Sequence, residues 1–346
     1  MRALSIDRPG EASFVDLPRP DPREGEIGVR VSFIGYCGSD LNSFRGINPL
    51  VSYPRVPGHE IAGVIETLGE GVPGSFSVGQ QVCVLPYFNC GQCNACRMGR
   101  PNACKHNQTM GVQREGALTE FVCVPHGKVI PVDGLALRDL ALIEPLAVGF
   151  HAVRRAELQA GERVVVLGCG VIGLGAVLGA VSAGARVIAV DLAAGKLEQA
   201  RGLGAEDVID ASSQDVAAEV ARLTGDDGPS VVIEAVGAEV TFRQAVDLVG
   251  SCGRVVYVGY AKYPVTYETR FFLMKEMDIR GSRGSTLADF ADVIAVLKAR
   301  PGIGDLIVSR TATFAEAADA MRDWDADPGA FTKIMIAVQH PSEQPA

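Results

Sequence analysis

Four cysteines lie close together in the first third of the chain, with the spacing C-x2-C-x2-C-x7-C: Cys90, Cys93, Cys96 and Cys104. Turn-forming residues separate them, so the chain can fold back and direct four sulfur atoms at one point. Four thiolates at Zn–S distances of about 2.3 Å make a closed tetrahedral zinc site with no open position for a substrate. The segment has no apolar periodicity of its own, so metal–ligand bonds are the natural source of its folding energy. We therefore predict a structural zinc ion here.

Two other interpretations of these cysteines are open. Disulfides suit a secreted protein, but residues 1–7 contain no apolar signal sequence and the nine cysteines are an odd number. An iron–sulfur cluster is closer in spacing, but ferredoxins use C-x2-C-x2-C-x3-C-P, whereas Lys105 follows Cys104 here and the last gap is seven residues. The pattern therefore favours zinc. Four other cysteines sit singly in apolar stretches and are predicted to be buried core thiols: Cys83, Cys123, Cys169 and Cys252.

A glycine-rich sequence that could bind a dinucleotide follows an apolar run at residues 164–167. Residues 168–173 read Gly-Cys-Gly-Val-Ile-Gly and open an apolar helical segment. In a βαβ unit, such glycines let backbone N–H groups approach a pyrophosphate at the N-terminus of the helix. The glycines are also compatible with a tight turn that binds no ligand, so the surrounding pattern of strands and helices matters to the interpretation.

An acidic residue strengthens the dinucleotide interpretation. Asp191 closes the next predicted strand, eighteen residues beyond Gly173, where a carboxylate can accept hydrogen bonds from the adenosine ribose. Asp191 would repel a 2′-phosphate, so the pattern favours NAD over NADP. The predicted cofactor-binding residues are Gly168, Gly170, Val171, Ile172, Gly173, Asp191, Lys196, Val236 and Val258.

Three separate segments, at residues 35–40, 58–60 and 143–146, carry side chains that could bind a second metal ion. Each is a short polar insertion at the edge of an apolar run. A catalytic zinc ion commonly has three protein ligands and one open position, and Cys, His and Glu side chains are all competent ligands. The candidates are Cys37, His59 and Glu144. Each alone also has a structural explanation, as a core thiol, a turn histidine or a carboxylate at the start of a helix.

The elements that must position these residues change in character along the chain. Up to about residue 145, Gly and Pro divide short strand-like runs at residues 27–34, 60–68, 81–85 and 118–124, which predicts an antiparallel or barrel-like β domain. From about residue 160, β-branched runs alternate with amphipathic helical segments, which predicts βαβ units and a parallel sheet of about six strands. For the C-terminal part we expect helices at residues 287–298 and 315–325 and a strand at residues 333–338. A loose polar tail is expected after Gln339.

Composition limits the class of protein further. The 346 residues are 47% hydrophobic and 21% charged, with 40 glycines, which fits a two-domain α/β protein. The net charge is −9 and no basic stripe is visible, which argues against nucleic-acid binding. Residues 164–190 are nearly all apolar, but six glycines and Arg186 interrupt them, so strand, turn, helix and strand are expected rather than a membrane span. We expect a cytoplasmic protein without a membrane partner.

Taken together, the motifs resemble the zinc-dependent medium-chain alcohol dehydrogenase superfamily over nearly the whole chain, and most closely its polyol and sugar-acid branch. The motifs are Gly-x-Cys-Gly-Ser-Asp, Pro-Gly-His-Glu, the four cysteines, Glu-Pro-Leu and the glycine fingerprint. The resemblance implies an α/β protein with a GroES-like β-rich catalytic domain at residues 1–147 and 284–346. Its zinc lobe would lie at about residues 88–106, and residues 148–283 would form a Rossmann NAD-binding domain with a doubly wound parallel six-stranded sheet.

The resemblance also implies two zinc ions per chain. Cys37, His59 and Glu144 would bind the catalytic zinc, while Glu60 would be a second carboxylate able to contact or exchange at the metal. Asp40 matches the carboxylate that orients the histidine ligand. As a Lewis acid, the zinc would lower the pKa of a substrate hydroxyl so that hydride can pass to NAD.

The proton relay departs from the family pattern. Ser39 matches the first relay hydroxyl, which also touches the substrate oxygen. Many relatives have a histidine five residues after the ligand cysteine, where this chain has Asn42. An amide does not accept and release a proton at neutral pH, so a relay beyond Ser39 would need water or another group.

The implied substrate is a secondary hydroxyl group of a polyol or a sugar acid (aldonate). Arg283 matches a segment near the nicotinamide in the family, and Arg45 and Arg114 lie in loops that resemble cleft-lining ones. A guanidinium group there could bind a carboxylate, but these arginines could equally lie on the surface or bind cofactor phosphates. The alternatives are an L-threonine 3-dehydrogenase, a general secondary-alcohol dehydrogenase, or an NAD-binding regulatory or structural protein without activity. The family implies a homodimer or homotetramer.

Overall fold

The computed structural model describes residues 1–338; the predicted loose tail after Gln339 lies outside these residues. The chain divides into two compact units, which are Met1–Glu144 with Leu297–Ala346 and Pro145–Val296. The sequence-based boundaries at residues 147 and 284 differ from these limits, because the helix Leu287–Ala299 lies mostly in the second unit. The assignment of a function to each domain stays a prediction.

The first unit is rich in β structure. Its main sheet has seven strands, and neighbouring strands are antiparallel except for one parallel pair, Arg310–Thr313 with Ile334–Ala337. In spatial order the strands are Arg310–Thr313, Ile334–Ala337, Glu26–Gly35, Glu60–Leu68, Gln81–Val84 and Val129–Pro131, with Phe121–Pro125 also paired to Glu26–Gly35. Two small antiparallel sheets join Arg2–Arg8 to Glu11–Asp16 and Tyr87–Phe88 to Gln108–Thr109. The predicted β-rich domain is therefore confirmed.

Short helices complete the first unit and set the positions of its functional groups. The α-helices are Gly38–Phe44, Asn94–Arg97, Leu137–Leu140, Ile303–Ile307 and Ala317–Ala326, and the 3-10 helices are Pro101–Ala103, His126–Lys128 and Phe314–Glu316. The helix Gly38–Phe44 begins directly after Cys37, and the Asp40 carboxylate accepts a hydrogen bond from the Cys37 N–H at 3.0 Å. This local cap fixes the backbone that carries the Cys37 thiol.

The second unit contains a six-stranded sheet in which all neighbouring strands are parallel. In spatial order the strands are Asp207–Asp210, Arg186–Asp191, Arg163–Leu167, Val231–Glu234, Arg254–Tyr257 and Asp278–Gly281. The helices of this part of the chain are Ile143–Ala156, Val171–Ser182, Ala194–Leu203, Val216–Thr224, Glu239–Leu248, Arg270–Met274 and Leu287–Ala299. The strand order reverses between Arg163–Leu167 and Val231–Glu234, which is the arrangement of a doubly wound dinucleotide-binding fold. The predicted fold class is confirmed.

The apolar stretch at residues 164–190 forms the predicted strand, turn, helix and strand. Val165, Ile188 and Val232 belong to the buried core of the second unit. Within residues 1–338, the structure has no helix that combines the length and the apolar character needed to cross a bilayer. The apolar stretch is therefore explained by burial on neighbouring parallel strands and their helix.

Candidate metal centres and cofactor site

The four cysteines of the lobe converge as the sequence predicts. Their sulfur atoms lie within 4.8 Å of one another, and the Cys93 sulfur is 3.6 Å from that of Cys96 and 3.8 Å from that of Cys104. A tetrahedral zinc ion with Zn–S bonds of about 2.3 Å separates its sulfur ligands by about 3.8 Å. A disulfide would need an S–S distance of about 2.05 Å, and none of these four cysteines forms a disulfide. The spacing of the donors therefore fits zinc.

The backbone of the lobe is folded so that its N–H groups point at these sulfur atoms. The Cys90 N–H lies 3.3 Å from the Cys104 sulfur, and the Cys93 N–H lies 3.3 Å from the Cys90 sulfur. Gly91 and Gly99 both have φ of +72°, a left-handed conformation that favours glycine. Hydrogen bonds from the Cys96 and Lys105 backbone lower the pKa of Cys93 to about 6. These contacts favour the thiolate form of Cys93, whereas burial raises the pKa of Cys96 to about 11.

The prediction that the remaining cysteines are core thiols is only partly right. Cys83 and Cys169 are buried, and burial raises the pKa of each thiol to about 12. Cys123 is half-buried, and Cys252 is exposed. Cys252 has a φ of 58° in the turn before the strand Arg254–Tyr257. The prediction failed because the neighbouring apolar residues suggested a buried segment where the chain forms a surface turn.

The structure brings three side chains of the second candidate metal centre together. The Cys37 sulfur, a ring nitrogen of His59 and a carboxylate oxygen of Glu60 lie within 4.8 Å of one another. His59 is buried, and its Nδ1 has no hydrogen-bond partner among the described residues. Burial lowers the pKa of His59, but the Cys37 and Asp40 charges outweigh burial and raise it well above its usual value. A buried imidazole between anionic groups suits a bound cation.

Asp40 joins the two chain segments that carry the Cys and His candidates. Besides the Cys37 N–H, its carboxylate accepts a hydrogen bond from the Gly58 N–H at 3.3 Å, and it lies 3.8 Å from His59 Nδ1. Asp40 is fully buried. Its placement beside the imidazole is the one expected of a carboxylate that orients a histidine ligand, although that role stays a prediction.

Glu144 does not belong to the three-residue group. The carboxyl group is buried in the first turn of the helix Ile143–Ala156 and accepts a hydrogen bond from the Tyr87 hydroxyl. Burial raises the pKa of Glu144 to about 7, the charge on His59 opposes that rise, and Glu60 adds to it. Glu144 is therefore close enough to interact with both side chains, but its assignment as a zinc ligand stays a prediction.

Glu60 is held by a lysine that sequence reasoning missed. Both Glu60 carboxylate oxygens lie 2.7 Å from Lys333 Nζ, which also donates to the Tyr36 carbonyl at 2.8 Å. Lys333 and Glu60 are buried. The neighbouring strand also makes room for the carboxylate, because a Cβ atom on Gly35 would lie 1.9 Å from Glu60 Oε2. The sequence signal for a buried cation was the position of Lys333 at the start of the apolar run Ile334 to Ile336.

The ion pair leads to a prediction about stability. Replacing Lys333 with methionine should lower the free energy of unfolding by about 3 to 5 kcal/mol, because Glu60 would be left buried without a counter-charge. The double variant Glu60→Gln/Lys333→Met removes both charges and should recover most of this loss. Chemical denaturation of the zinc-loaded proteins measures both. If Lys333→Met were as stable as the wild type, the buried pair would not have the energetic role inferred here.

The other predicted site residues have varied surroundings. The Ser39 hydroxyl oxygen is buried and has no hydrogen-bond partner among the described residues, which leaves it able to exchange a proton. Arg45 pairs with Asp325 at 2.5 Å, and the Arg114 guanidinium lies 4.0 Å from the centre of the Phe88 ring. Arg283 is exposed after the strand Asp278–Gly281. A substrate role for Arg45 would require it to leave Asp325.

The glycine fingerprint has the geometry of a dinucleotide site. Gly168 has a φ of +93°, and a Cβ atom on Gly173 would lie 1.7 Å from the Gly168 carbonyl oxygen. Gly170 precedes the helix Val171–Ser182, and apart from its chain neighbours no atom of residues 1–338 lies within 4 Å of its Cβ position. Asp191 accepts hydrogen bonds from the Cys169 N–H at 2.7 Å and the Ala193 N–H at 2.9 Å. The open helix N-terminus and the adjacent carboxylate fit a dinucleotide.

The remaining predicted cofactor residues lie on elements around this turn. Val171 and Ile172 open the fingerprint helix, and Lys196 lies in the first turn of the helix Ala194–Leu203. Val236 is the second residue after the strand Val231–Glu234, and Val258 is the first after the strand Arg254–Tyr257. The Val236 side chain reaches the fingerprint, since its Cγ2 atom is 2.6 Å from the Cβ position of Gly168. Contact of these residues with a cofactor stays a prediction.

Comparison with known proteins gives the family. Residues 23–134 match the alcohol dehydrogenase GroES-like domain, and residues 171–299 match the zinc-binding dehydrogenase domain. L-galactonate-5-dehydrogenase of Escherichia coli (strain K12) is 35% identical over 92% of this chain and 94% of its own length. Sorbitol dehydrogenase of Halalkalibacterium halodurans is 32% identical over 91% and 94%. The chain belongs to the zinc-type alcohol dehydrogenase family, and it is therefore an oxidoreductase.

A solved structure supports the same conclusion. The structure of the alcohol dehydrogenase rspB from Escherichia coli CFT073, complexed with NADH, aligns with a TM-score of 0.89 at 30% sequence identity. The alignment covers 98% of this chain and 99% of that protein. The fold described above is thus the fold of a dehydrogenase that has been seen with a nicotinamide cofactor.

Proposed function

We propose that this protein is an NAD-dependent zinc dehydrogenase that oxidises a secondary hydroxyl group of a polyol or a sugar acid. The observation that carries the proposal is the buried meeting point of Cys37, His59 and Glu60, with Glu144 nearby. These groups belong to a chain that also has a dinucleotide fingerprint. The names of the relatives, L-galactonate-5-dehydrogenase and sorbitol dehydrogenase, support the substrate class.

Cys37, His59 and Glu144 would hold the catalytic zinc ion. Zinc supplies a Lewis acid that lowers the pKa of a substrate hydroxyl, and NAD accepts hydride. The two ligand charges of Cys37 and Glu144 balance a divalent cation. The separate charge of Glu60 is balanced by Lys333 at 2.7 Å. This count favours Glu144 over Glu60 as the resident ligand, because Glu60 already has a buried counter-charge in Lys333 and Glu144 has none within residues 1–338.

The protein's own groups then manage the proton. The Ser39 hydroxyl, two residues beyond Cys37 and without a hydrogen-bond partner within residues 1–338, accepts the proton that leaves the substrate hydroxyl. Asp40 holds the backbone of Cys37 and Gly58 through its hydrogen bonds, and its carboxylate, 3.8 Å from His59 Nδ1, would orient the imidazole. With Asn42 at the position of a relay histidine, water carries the proton onward from Ser39.

A substrate panel tests this function. NADH formation should be fastest with one of a set of aldonates and polyols, slower with simple secondary alcohols and slowest with L-threonine. An aldonate should be preferred to the matching alditol if Arg45, Arg114 or Arg283 binds a carboxylate. Turnover confined to simple aliphatic alcohols, or to L-threonine, would contradict the substrate class and support the alternative dehydrogenases. A protein that binds zinc and NADH but turns over no alcohol would support the regulatory alternative.

Asp191 should set the choice of cofactor. Replacing it with alanine should lower kcat/KM with NAD by about tenfold or more, because the ribose loses a carboxylate acceptor. The same change should raise the relative rate with NADP, because the repulsion of a 2′-phosphate is removed. Steady-state kinetics with both cofactors measure the ratio.

Asp207→Ala is a matched control for this prediction. Asp207 begins the neighbouring strand, whereas Asp191 ends its own strand. The control should leave the NAD to NADP ratio unchanged. An Asp191→Ala enzyme with the wild-type ratio would contradict the predicted role of this carboxylate.

We also propose that the protein forms a homodimer or homotetramer. The strand Asp278–Gly281 is at the edge of the six-stranded sheet, and Ile279 on it is 43% exposed. An exposed apolar residue on an edge strand suits pairing with another chain.

A further inference from the structure

Glu234 is a fully buried carboxylate that no step of the proposed chemistry uses. It ends the strand Val231–Glu234. Its Oε1 atom accepts three hydrogen bonds, from the Val236 N–H at 2.9 Å, the Gly237 N–H at 2.7 Å and the Thr241 hydroxyl at 2.7 Å. A carboxylate that accepts several hydrogen bonds from one turn fixes the conformation of that turn.

The second oxygen of the same carboxylate is unusual. Glu234 Oε2 is buried and has no hydrogen-bond partner among the described residues. The site is tight, because a Cβ atom on Gly259 would lie 2.5 Å from Oε2 and 2.4 Å from the Gly237 nitrogen. Burying one carboxylate oxygen without a hydrogen-bond partner costs free energy. We therefore looked for a function of the turn that Oε1 holds in place.

This turn lies beside the dinucleotide fingerprint. The Ala235 N–H donates to the Leu167 carbonyl at 2.9 Å, and Val236 Cγ2 lies 2.6 Å from the Cβ position of Gly168. Val236 is nevertheless 51% exposed. Its side chain therefore packs on the first glycine of the fingerprint and also faces solvent there.

The turn after Glu234 lies at a position of the sheet where ligands commonly bind. The strands Arg163–Leu167 and Val231–Glu234 are parallel neighbours, and Leu167 is in register with Glu234. The strand order reverses between these two strands. Ligands of open α/β sheets bind in the crevice at the carboxyl ends of the strands where the order reverses. Val236 and Gly168 thus lie side by side at this crevice.

We propose that Glu234 is a positioning residue for the dinucleotide, an inference that rests on the NAD binding proposed above. Through Oε1 it holds the backbone of Val236 and Gly237, and it thereby presents the Val236 side chain as a preformed wall of the crevice. Gly237 has a φ of +83°, which glycine adopts without steric cost, and the conformational freedom of glycine leaves this turn to be fixed by its hydrogen bonds to Glu234. Without Glu234 the turn would have to be ordered when the cofactor binds, which weakens binding.

Titration of NADH fluorescence tests the inference without relying on turnover. Glu234→Ala should raise the Kd for NADH by about 10- to 100-fold. Glu234→Gln should stay within about threefold of the wild type, because an amide oxygen can accept the same three hydrogen bonds. In steady state, Glu234→Ala should raise KM for NAD while kcat at saturating NAD and the zinc content stay near the wild-type values.

Three further variants complete the design. Val236→Ala should weaken NADH binding, and adding it to Glu234→Ala should cause little further loss, because Glu234 acts through Val236. Glu239→Ala removes an exposed carboxylate that pairs with Arg243. This control should leave the Kd for NADH unchanged. If Glu234→Ala does not fold, Thr241→Val is the deciding variant, since it removes one donor to the same oxygen and should raise the Kd for NADH by about five- to tenfold, more than the change allowed for Glu234→Gln.

The possible outcomes distinguish a failure of the proposed function from a failure of the role inferred for Glu234. Wild-type protein that fails to bind NADH would overturn the proposed function and this inference with it. Wild-type protein that binds NADH, together with a folded Glu234→Ala or Thr241→Val variant of unchanged Kd, would overturn the inference alone. Fully additive effects of Glu234→Ala and Val236→Ala would also overturn it.

Discussion

Replacing Glu144 with glutamine should reduce the zinc content from two ions per chain to about one and lower kcat/KM by about a thousandfold or more. The amide is a poorer ligand than a carboxylate and leaves the positive charge of the metal uncompensated. Loss of the Lewis acid removes several kcal/mol of transition-state stabilisation, and each 1.4 kcal/mol is about a tenfold change in rate. Elemental analysis and steady-state kinetics on the same preparation measure both effects, while the melting temperature should change little.

The matched control separates the two carboxylates of the site. Glu60→Gln/Lys333→Met removes the buried ion pair of Glu60 without leaving a single charge behind. This double variant should keep two zinc ions per chain and a measurable rate. If it lost the second zinc ion while Glu144→Gln kept both the metal and the rate, Glu60 would be the ligand and the assignment of Glu144 would be wrong.

The second large effect is expected at the cysteine lobe. Cys96→Ser should abolish zinc binding in the lobe and lower the melting temperature by about 5 to 15 °C, because the lobe depends on metal–ligand bonds for its order. Its helical segments are short, Asn94–Arg97 and Pro101–Ala103, and none of the residues 94–97 is buried. Limited proteolysis should therefore cut within residues 88–106 of the variant first. The zinc ion of the other site, and some turnover, should remain.

Cys123→Ser is the control for the lobe variant, since Cys123 is a free thiol on the strand Phe121–Pro125, outside both metal groups. It should keep two zinc ions and the wild-type melting temperature within a few degrees. A Cys96→Ser protein that melted like the wild type yet had lost all hydride transfer would contradict the division into a structural and a catalytic metal.

Much of the architecture could be predicted because the signals were local. Short strand-like runs divided by Gly and Pro predicted the strands Glu26–Gly35, Glu60–Leu68 and Gln81–Val84 to within about one residue. The alternation after residue 160 predicted the six-stranded parallel sheet, which is confirmed. The cysteine spacing predicted a cluster that forms with sulfur separations of 3.5 to 3.8 Å. Each of these features depends on residues close together in the chain.

Other features depended on contacts across long sequence separations. Lys333 is 273 residues away from Glu60, and Tyr87 is 57 residues away from Glu144. Neither pair has a spacing pattern, so the register of the strands in the folded unit was needed to find them. The opening hairpin, Arg2–Arg8 with Glu11–Asp16, was also missed. Its charged residues obscure the alternation, and only one of its two strands is largely buried.

We infer that turnover depends on a second, separate zinc ion at Cys37, His59 and a nearby glutamate. The most direct test removes zinc with a mild chelator, adds it back in steps and follows both zinc per chain and the rate of NADH formation with the best sugar-acid or polyol substrate. We predict two zinc ions per active chain, a folded and inactive protein with one, and a rate that rises in proportion to the second. Full activity with one zinc ion per chain, retained by the four cysteines, would show that turnover does not need a second zinc ion.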